Sequence, residues 1–114
     1  MARYKLTTPD TIPANSMRAF DVSGRRVLVV NLDGNFYALD DLCPHLAVPL
    51  SRGELQDGCV TCPGHGSVFD IKTGEARKWV GKQINFLTRM TEGRAKGARV
   101  YRPFIEDGQL TVEL

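Results

Sequence analysis

Two short motifs hold both histidines of the chain and two of its three cysteines: Cys43-Pro44-His45 and Cys62-Pro63-Gly64-His65. Each supplies one thiolate and one imidazole. Two soft sulfur ligands and two imidazoles suit a tetrahedral metal site. The choices are zinc, or a [2Fe–2S] cluster with two cysteines on one iron and two histidines on the other. An odd number of cysteines argues against a disulfide framework. Cys59 stands outside both motifs, although Cys59-x-x-Cys62 has the spacing of half a zinc knuckle. That pairing would leave the Cys-x-His half unexplained. Cys59-Val60-Thr61 reads instead as an apolar run carrying a buried thiol.

The elements that must position these motifs are short strands separated by Gly and Asp turns. Residues 17–22 read as a strand, and Val27-Leu28-Val29-Val30-Asn31-Leu32 as a more buried one. Asp33-Gly34-Asn35 is a tight hairpin turn into Phe36-Tyr37-Ala38-Leu39. Asp57-Gly58 turns residues 53–56 into 59–61, and Asp107-Gly108 joins 99–105 to 109–114. The pattern predicts an all-β fold, an antiparallel sandwich or partly open barrel. Both ligand motifs then fall in loops, where rigid sheets present functional groups. Pro44 and Pro63 restrict the backbone after each cysteine. Gly64 and Gly66 remove side chains beside His65, which lets amides approach an anionic group as a nest. Phe36, Tyr37 and Phe69 read as packing residues, and Asp40 and Asp41 as a turn before Cys43.

Length and charge narrow the classes. A chain of 114 residues predicts one domain, 1–114, and 42% hydrophobic residues support a modest core. A net charge of only +2 names no nucleic-acid partner. No apolar run is long enough to span a bilayer, and the opening Met1-Ala2-Arg3-Tyr4-Lys5-Leu6-Thr7 lacks the apolar stretch of a secretion signal. The expected location is cytoplasmic.

The residues around the two motifs carry a resemblance. Cys43-Pro44-His45, Pro49-Leu50-Ser51-x-Gly53, Cys62-Pro63-Gly64-His65-Gly66-Ser67-x-Phe69-Asp70 and Thr73-Gly74 together resemble the signature of Rieske-type ferredoxins. The resemblance implies a Rieske-type β-sandwich or partly open barrel, with a small cluster-binding subdomain, about 42–76, made of two loops. One [2Fe–2S] cluster is implied, with Cys43 and Cys62 on the inner iron and His45 and His65 on the outer one. Pro44, Pro63, Gly64, Gly66 and Ser67 would support it. Respiratory relatives carry a loop-to-loop disulfide where this chain has Val48 and Gly64, and a tyrosine where it has Phe69. Ser67 retains a hydroxyl that can donate to a cluster sulfide. The resemblance thus implies a potential in the middle of the ~−150 to +300 mV Rieske span.

The same residues limit the chemistry. A Rieske oxygenase needs a second iron held by two histidines and a carboxylate, and no histidine remains. No Gly-x-Gly-x-x-Gly turn offers a flavin or nicotinamide site. The expected role is therefore an electron carrier, not an enzyme, and the resemblance implies a separate reductase upstream and a terminal oxygenase downstream. The alternatives are a small subunit of another redox complex, such as a nitrite-reductase-like assembly, and a zinc-binding interaction module.

The stretch 77–102 departs from the resemblance as a basic insertion. It holds eight Lys/Arg against the single acid Glu92, so it carries +7 and the rest of the chain −5. Ile84, Leu87 and Met90 recur at helical spacing, and Gly93 is placed to end that helix. The segment reads as a solvated cover over the sheet. Its sharper alternative is a partner- or membrane-lipid-facing patch that includes Trp79.

Overall fold

The computed structural model describes residues 2–43, 48–64, 66–78 and 97–114. In chain order the strands are β1 (Arg3–Thr7), β2 (Ser16–Val22), β3 (Arg25–Leu32), β4 (Asn35–Asp40), β5 (Glu54–Gln56), β6 (Cys59–Thr61), β7 (Val68–Asp70), β8 (Ala76–Lys78), β9 (Val100–Glu106) and β10 (Gln109–Glu113). Among the described residues they form a six-stranded sheet, order β1-β10-β9-β4-β3-β2, and a four-stranded sheet, order β5-β6-β7-β8. Every pairing is antiparallel. The expected all-β architecture is present. No helix among the described residues is long and apolar enough to cross a membrane.

Turn chemistry sets the hairpins. Asp33 and Gly34 both have positive φ, 52° and 94°, as do Asp57 with Gly58 and Asp107 with Gly108. Positive φ at both central positions is the type I′ condition, and its twist matches the flanking strands. A fourth such turn, Ser23-Gly24, joins β2 to β3 and was not expected from the sequence. Each two-residue turn then dictates the register of its hairpin. From Leu32 opposite Asn35, the β3–β4 ladder runs back to Val27 opposite Asp40.

Strand β3 explains why Val27-Leu28-Val29-Val30 is continuously apolar. Successive side chains of a strand point to opposite faces. Val27 and Val29 enter one core cluster with Ile12, Val22, Ala38, Leu110 and Val112. Leu28 and Val30 enter a second cluster with Leu39, Leu50, Val60, Phe69 and Ile71, between the two sheets. A strand covered on both faces has no side to leave polar. Phe69 is fully buried, while Phe36 and Tyr37 pack at the margins, as packing residues should.

The four-stranded sheet runs from Glu54 to Lys78. Beyond the shared core, a close approach of Gly74 to Ala98 ties it to the rest. The Ala98 amide donates to the Gly74 carbonyl at 2.7 Å, and a Cβ on Gly74 would stand 2.0 Å from the Ala98 carbonyl oxygen. Only glycine allows that approach, and Gly74 also has φ +75°. Trp79, the helical spacing of Ile84, Leu87 and Met90, its end at Gly93, and most of the basic insertion lie outside the described residues.

Candidate metal centre

The two cysteines open two loops built to one plan. The first loop leaves the end of β4. Leu42 and Pro49 form an isolated antiparallel bridge across its base, and the Cys43 amide donates to the Val48 carbonyl at 2.9 Å. The second loop joins β6 to β7, with Thr61 paired to Val68 and the Cys62 amide donating to the Ser67 carbonyl at 2.7 Å. In both, cysteine stands first, proline second, and the sixth residue closes the loop onto the cysteine's own amide. Both thiols are nearly fully buried, each with 1% exposure, and both belong to the core cluster between the sheets.

Pro63 and Gly64 are exposed in the second loop, whereas Ser67 is fully buried. Gly66 has φ +76°, and its amide donates to the Cys62 carbonyl at 3.0 Å. A left-handed residue here turns the chain back toward Ser67, which favours glycine. Pro44, His45 and His65, the remaining sequence-predicted site residues, lie outside the described residues.

Gly53 brings the loops together. A Cβ at this position would stand 1.7 Å from the Thr61 carbonyl oxygen, next to Cys62 in sequence. The chain leaving the first loop therefore rests directly on the chain entering the second. The Gly53 amide is itself held by the Leu50 carbonyl at 2.9 Å.

Asp41 departs from expectation. It is not a turn acid but a completely buried carboxylate, 0% exposed. Its Oδ1 accepts the Ser51 amide at 2.8 Å. Its Oδ2 accepts the Ser51 hydroxyl at 3.2 Å and faces Arg26, with Nε at 3.1 Å and Nη2 at 3.0 Å. The Asp41 backbone amide donates to the Arg26 carbonyl at 3.0 Å, and its carbonyl accepts the Leu50 amide. A buried charge is tolerated only when paired and hydrogen-bonded, and this one is. Asp40, the other expected turn acid, ends β4 and accepts the Tyr101 hydroxyl.

Asp41 and Arg26 are thus structural members of the site that motif reading missed, and Ser51 and Gly53, quoted in the motif, take their structural roles only here. A signal for the ion pair existed. The β3–β4 register set by Asp33-Gly34 puts Arg26 across from Asp41 once the ladder is extended by one residue.

The sheet below the second loop has its own brace. Asp70 accepts the Lys72 and Thr73 amides at 2.9 and 3.1 Å and pairs with Arg77 at 2.9 Å. The Arg77 hydrogen bond, helped by those amides, holds the Asp70 carboxyl below its ordinary range. Cys59, opposite Asp70 on β6, is half-buried rather than buried. Desolvation first, then the Asp70 charge, push its thiol up. No disulfide forms among the described residues.

The donor set fits a metal–sulfur group. Two thiols excluded from water open equivalent loops, and each loop carries one histidine in sequence. The cysteine amides are already committed to closing those loops, so the thiol positions are held by backbone geometry.

Comparison with known proteins leads the same way. The Rieske [2Fe-2S] domain family matches residues 2–86. The chain is 34% identical over 77 residues to the ferredoxin component of biphenyl 2,3-dioxygenase of Rhodococcus jostii (strain RHA1), covering 68% of this chain and 72% of that one. It is 34% identical over 94 residues to the anthranilate 1,2-dioxygenase ferredoxin subunit of Burkholderia cepacia, covering 82% and 75%. Identity reaches 42% over 65 residues with apoptosis-inducing factor 3 of Homo sapiens, covering 57% of this chain but 11% of that protein. The chain therefore spans only about a tenth of that longer relative. Among solved structures, the ferredoxin of carbazole 1,9a-dioxygenase from Nocardioides aromaticivorans IC177 superposes with a TM-score of 0.80 at 24% identity, covering 98% of this chain and 97% of that one. A ferredoxin of Sphingomonas yanoikuyae B1 gives 0.78 at 24% identity, covering 99% of each. Two buried cysteines in matched loops, on this fold and with these relatives, make the chain a member of the Rieske [2Fe–2S] domain family, and membership implies one Rieske-type cluster.

Proposed function

We propose that this chain is an electron-transfer component that accepts one electron from a reductase and delivers it to a terminal oxygenase. The observation that carries the reading is the matched pair of loops, each opened by a water-excluded cysteine and closed on that cysteine's amide. Cys43, His45, Cys62 and His65 are the proposed ligands, with Cys43 and Cys62 on the inner iron. When bound, the cluster supplies a one-electron couple. The protein's part is to hold the two thiols still and keep water from them. Names of relatives support the acceptor class, since several are ferredoxin components of dioxygenase systems.

The reading makes the chain a carrier rather than an enzyme. Both of its histidines are used as ligands, so none is left for a mononuclear iron. The same proposal treats residues 1–114 as one domain, with a cluster-binding part of about 42–76 and a basic insertion of about 77–102. The four-stranded sheet over Glu54–Lys78 supports a cluster-binding part distinct from the six-stranded sheet, while β8 crosses the boundary at 76 and β9 begins at Val100, inside 77–102. A cytoplasmic location belongs to the same proposal.

The test is transfer between partners. Cluster-loaded protein is mixed with a reductase and an oxygenase from a ring-hydroxylating system, and substrate turnover is followed. The expected result is turnover that depends on this chain. Failure to accept electrons from any such reductase, with the cluster intact, would overturn the carrier assignment.

A further inference from the structure

Asp41 joins three pieces of chain that must stay in register at the first ligand loop. Its backbone binds the start of β3 through Arg26 and the loop exit through Leu50. Its side chain binds the loop exit again through the Ser51 amide and hydroxyl. The residue lies two positions before Cys43, so it also forms the loop entry. The carboxylate has no exposure, while its partner Arg26 is 40% exposed and reaches Asp21 at 3.7 Å on the outer side. A buried carboxylate is thus fixed two residues before the first ligand cysteine, in the loop entry, with its compensating guanidinium partly in solvent.

We propose that Asp41 is a positioning residue for the first ligand loop, and that the Asp41–Arg26 pair sets part of the cluster's reduction potential. The inference rests on the cluster assignment made above. The physical argument is electrostatic. Reduction adds one negative charge to the cluster, and the local net charge is one of the terms that fix a Fe–S potential. The Asp41 carboxylate is held out of water, so its charge is screened less than one in solvent, whereas Arg26 stands partly in solvent and is screened more. Asp41 alone opposes reduction, and Arg26 offsets it. Deleting either partner must therefore move the potential in opposite directions. A purely structural brace would lower stability in both cases and leave the potential where it was.

The test measures midpoint potentials by redox titration of cluster-loaded protein, alongside thermal unfolding, for Asp41→Asn, Arg26→Gln, Arg26→Lys and the double variant Asp41→Asn/Arg26→Gln. Asparagine keeps the acceptor for the Ser51 amide but removes the charge, so the potential is expected to rise. Glutamine at Arg26 strands the carboxylate, and the potential is expected to fall. Lysine restores the charge and is expected to return the potential toward that of the native chain. In the double variant the two shifts are expected to offset each other. If Asp41→Asn does not fold, the two Arg26 variants decide the question, because that side chain stands partly in solvent. Equal potentials across the loaded variants, whatever their melting temperatures, would overturn this inference alone. A native chain that assembles no cluster would overturn the proposed function along with it.

Discussion

The first and second ligand loops share one closure and differ in what braces it. Both place cysteine first and proline second, and both close by a hydrogen bond from the cysteine amide to the sixth residue's carbonyl. The first loop is anchored by a buried ion pair, Asp41 with Arg26, that also ties down Ser51. The second is anchored by backbone devices: the β6–β7 ladder, the left-handed Gly66 and the tight rest of Thr61 on Gly53. Its nearest ion pair, Asp70 with Arg77, is half in solvent. Equal presentation of the thiols is thus reached by unequal means. Where the loop begins at the end of a long strand, charge holds it; where it begins within a hairpin, the ladder suffices.

The largest effect should be the one that treats the loops as equals. Cys43→Ser and Cys62→Ser should each abolish bound iron and acid-labile sulfide, whereas Cys59→Ser should keep both. Retention of iron in either ligand variant would break the equivalence.

The next effects separate the braces. Arg26→Ala strands a buried carboxylate and should cost about 3 kcal/mol, the low end for a broken buried pair because Arg26 is partly solvated. Arg77→Ala removes only a solvent-exposed partner and should cost far less. Urea unfolding of the two variants decides this, and equal costs would erase the distinction drawn here.

Packing between the loops should follow. Gly53→Ala drives a Cβ against the backbone carbonyl of Thr61, which cannot rotate away, and should cost about 3 kcal/mol. Gly24→Ala meets no atom within 4 Å and should cost about 1 kcal/mol, for its positive φ alone. Thermal unfolding of both reads the difference.

How much of this was legible in the sequence depends on the range of each contact. The three Asp-Gly turns and the two-faced β3 were readable, because turn chemistry and the period of two act within a few residues. Strand β1 was missed: its partner β10 lies at the far end of the chain, with Arg3 opposite Glu113. Strands β7 and β8 are three residues each, too short for a period to show. At the site, spacing marked the cysteines as candidate ligands, and the resemblance of the surrounding motif assigned them to a cluster. Asp41 was misread because two acids before a Cys-Pro resemble a turn, and its burial comes from Arg26 on another strand. Gly53 was seen as part of a motif, but its reason, the 1.7 Å approach, exists only in three dimensions.

The smallest predicted effect concerns acid. Arg77 holds the folded-state Asp70 carboxyl below its unfolded value. Its contribution is therefore fully present above the unfolded carboxylate pKa of about 4 and drains away as pH falls from there toward the lowered folded value. Asp70→Asn should match the native chain's acid sensitivity less this one step. The stability difference between the two proteins should shrink below about pH 4. A difference that stays constant down the acid limb would mean that Asp70 does not titrate as described.

The equivalence of the two loops is tested most directly by an EPR spectrum of the anaerobically reduced protein, taken with iron, sulfide and zinc analysis. The account predicts two irons and two sulfides per chain and a [2Fe–2S] signal with the low average g of mixed cysteine–histidine ligation. Zinc without iron or sulfide, or a signal typical of all-cysteine ligation, would contradict it.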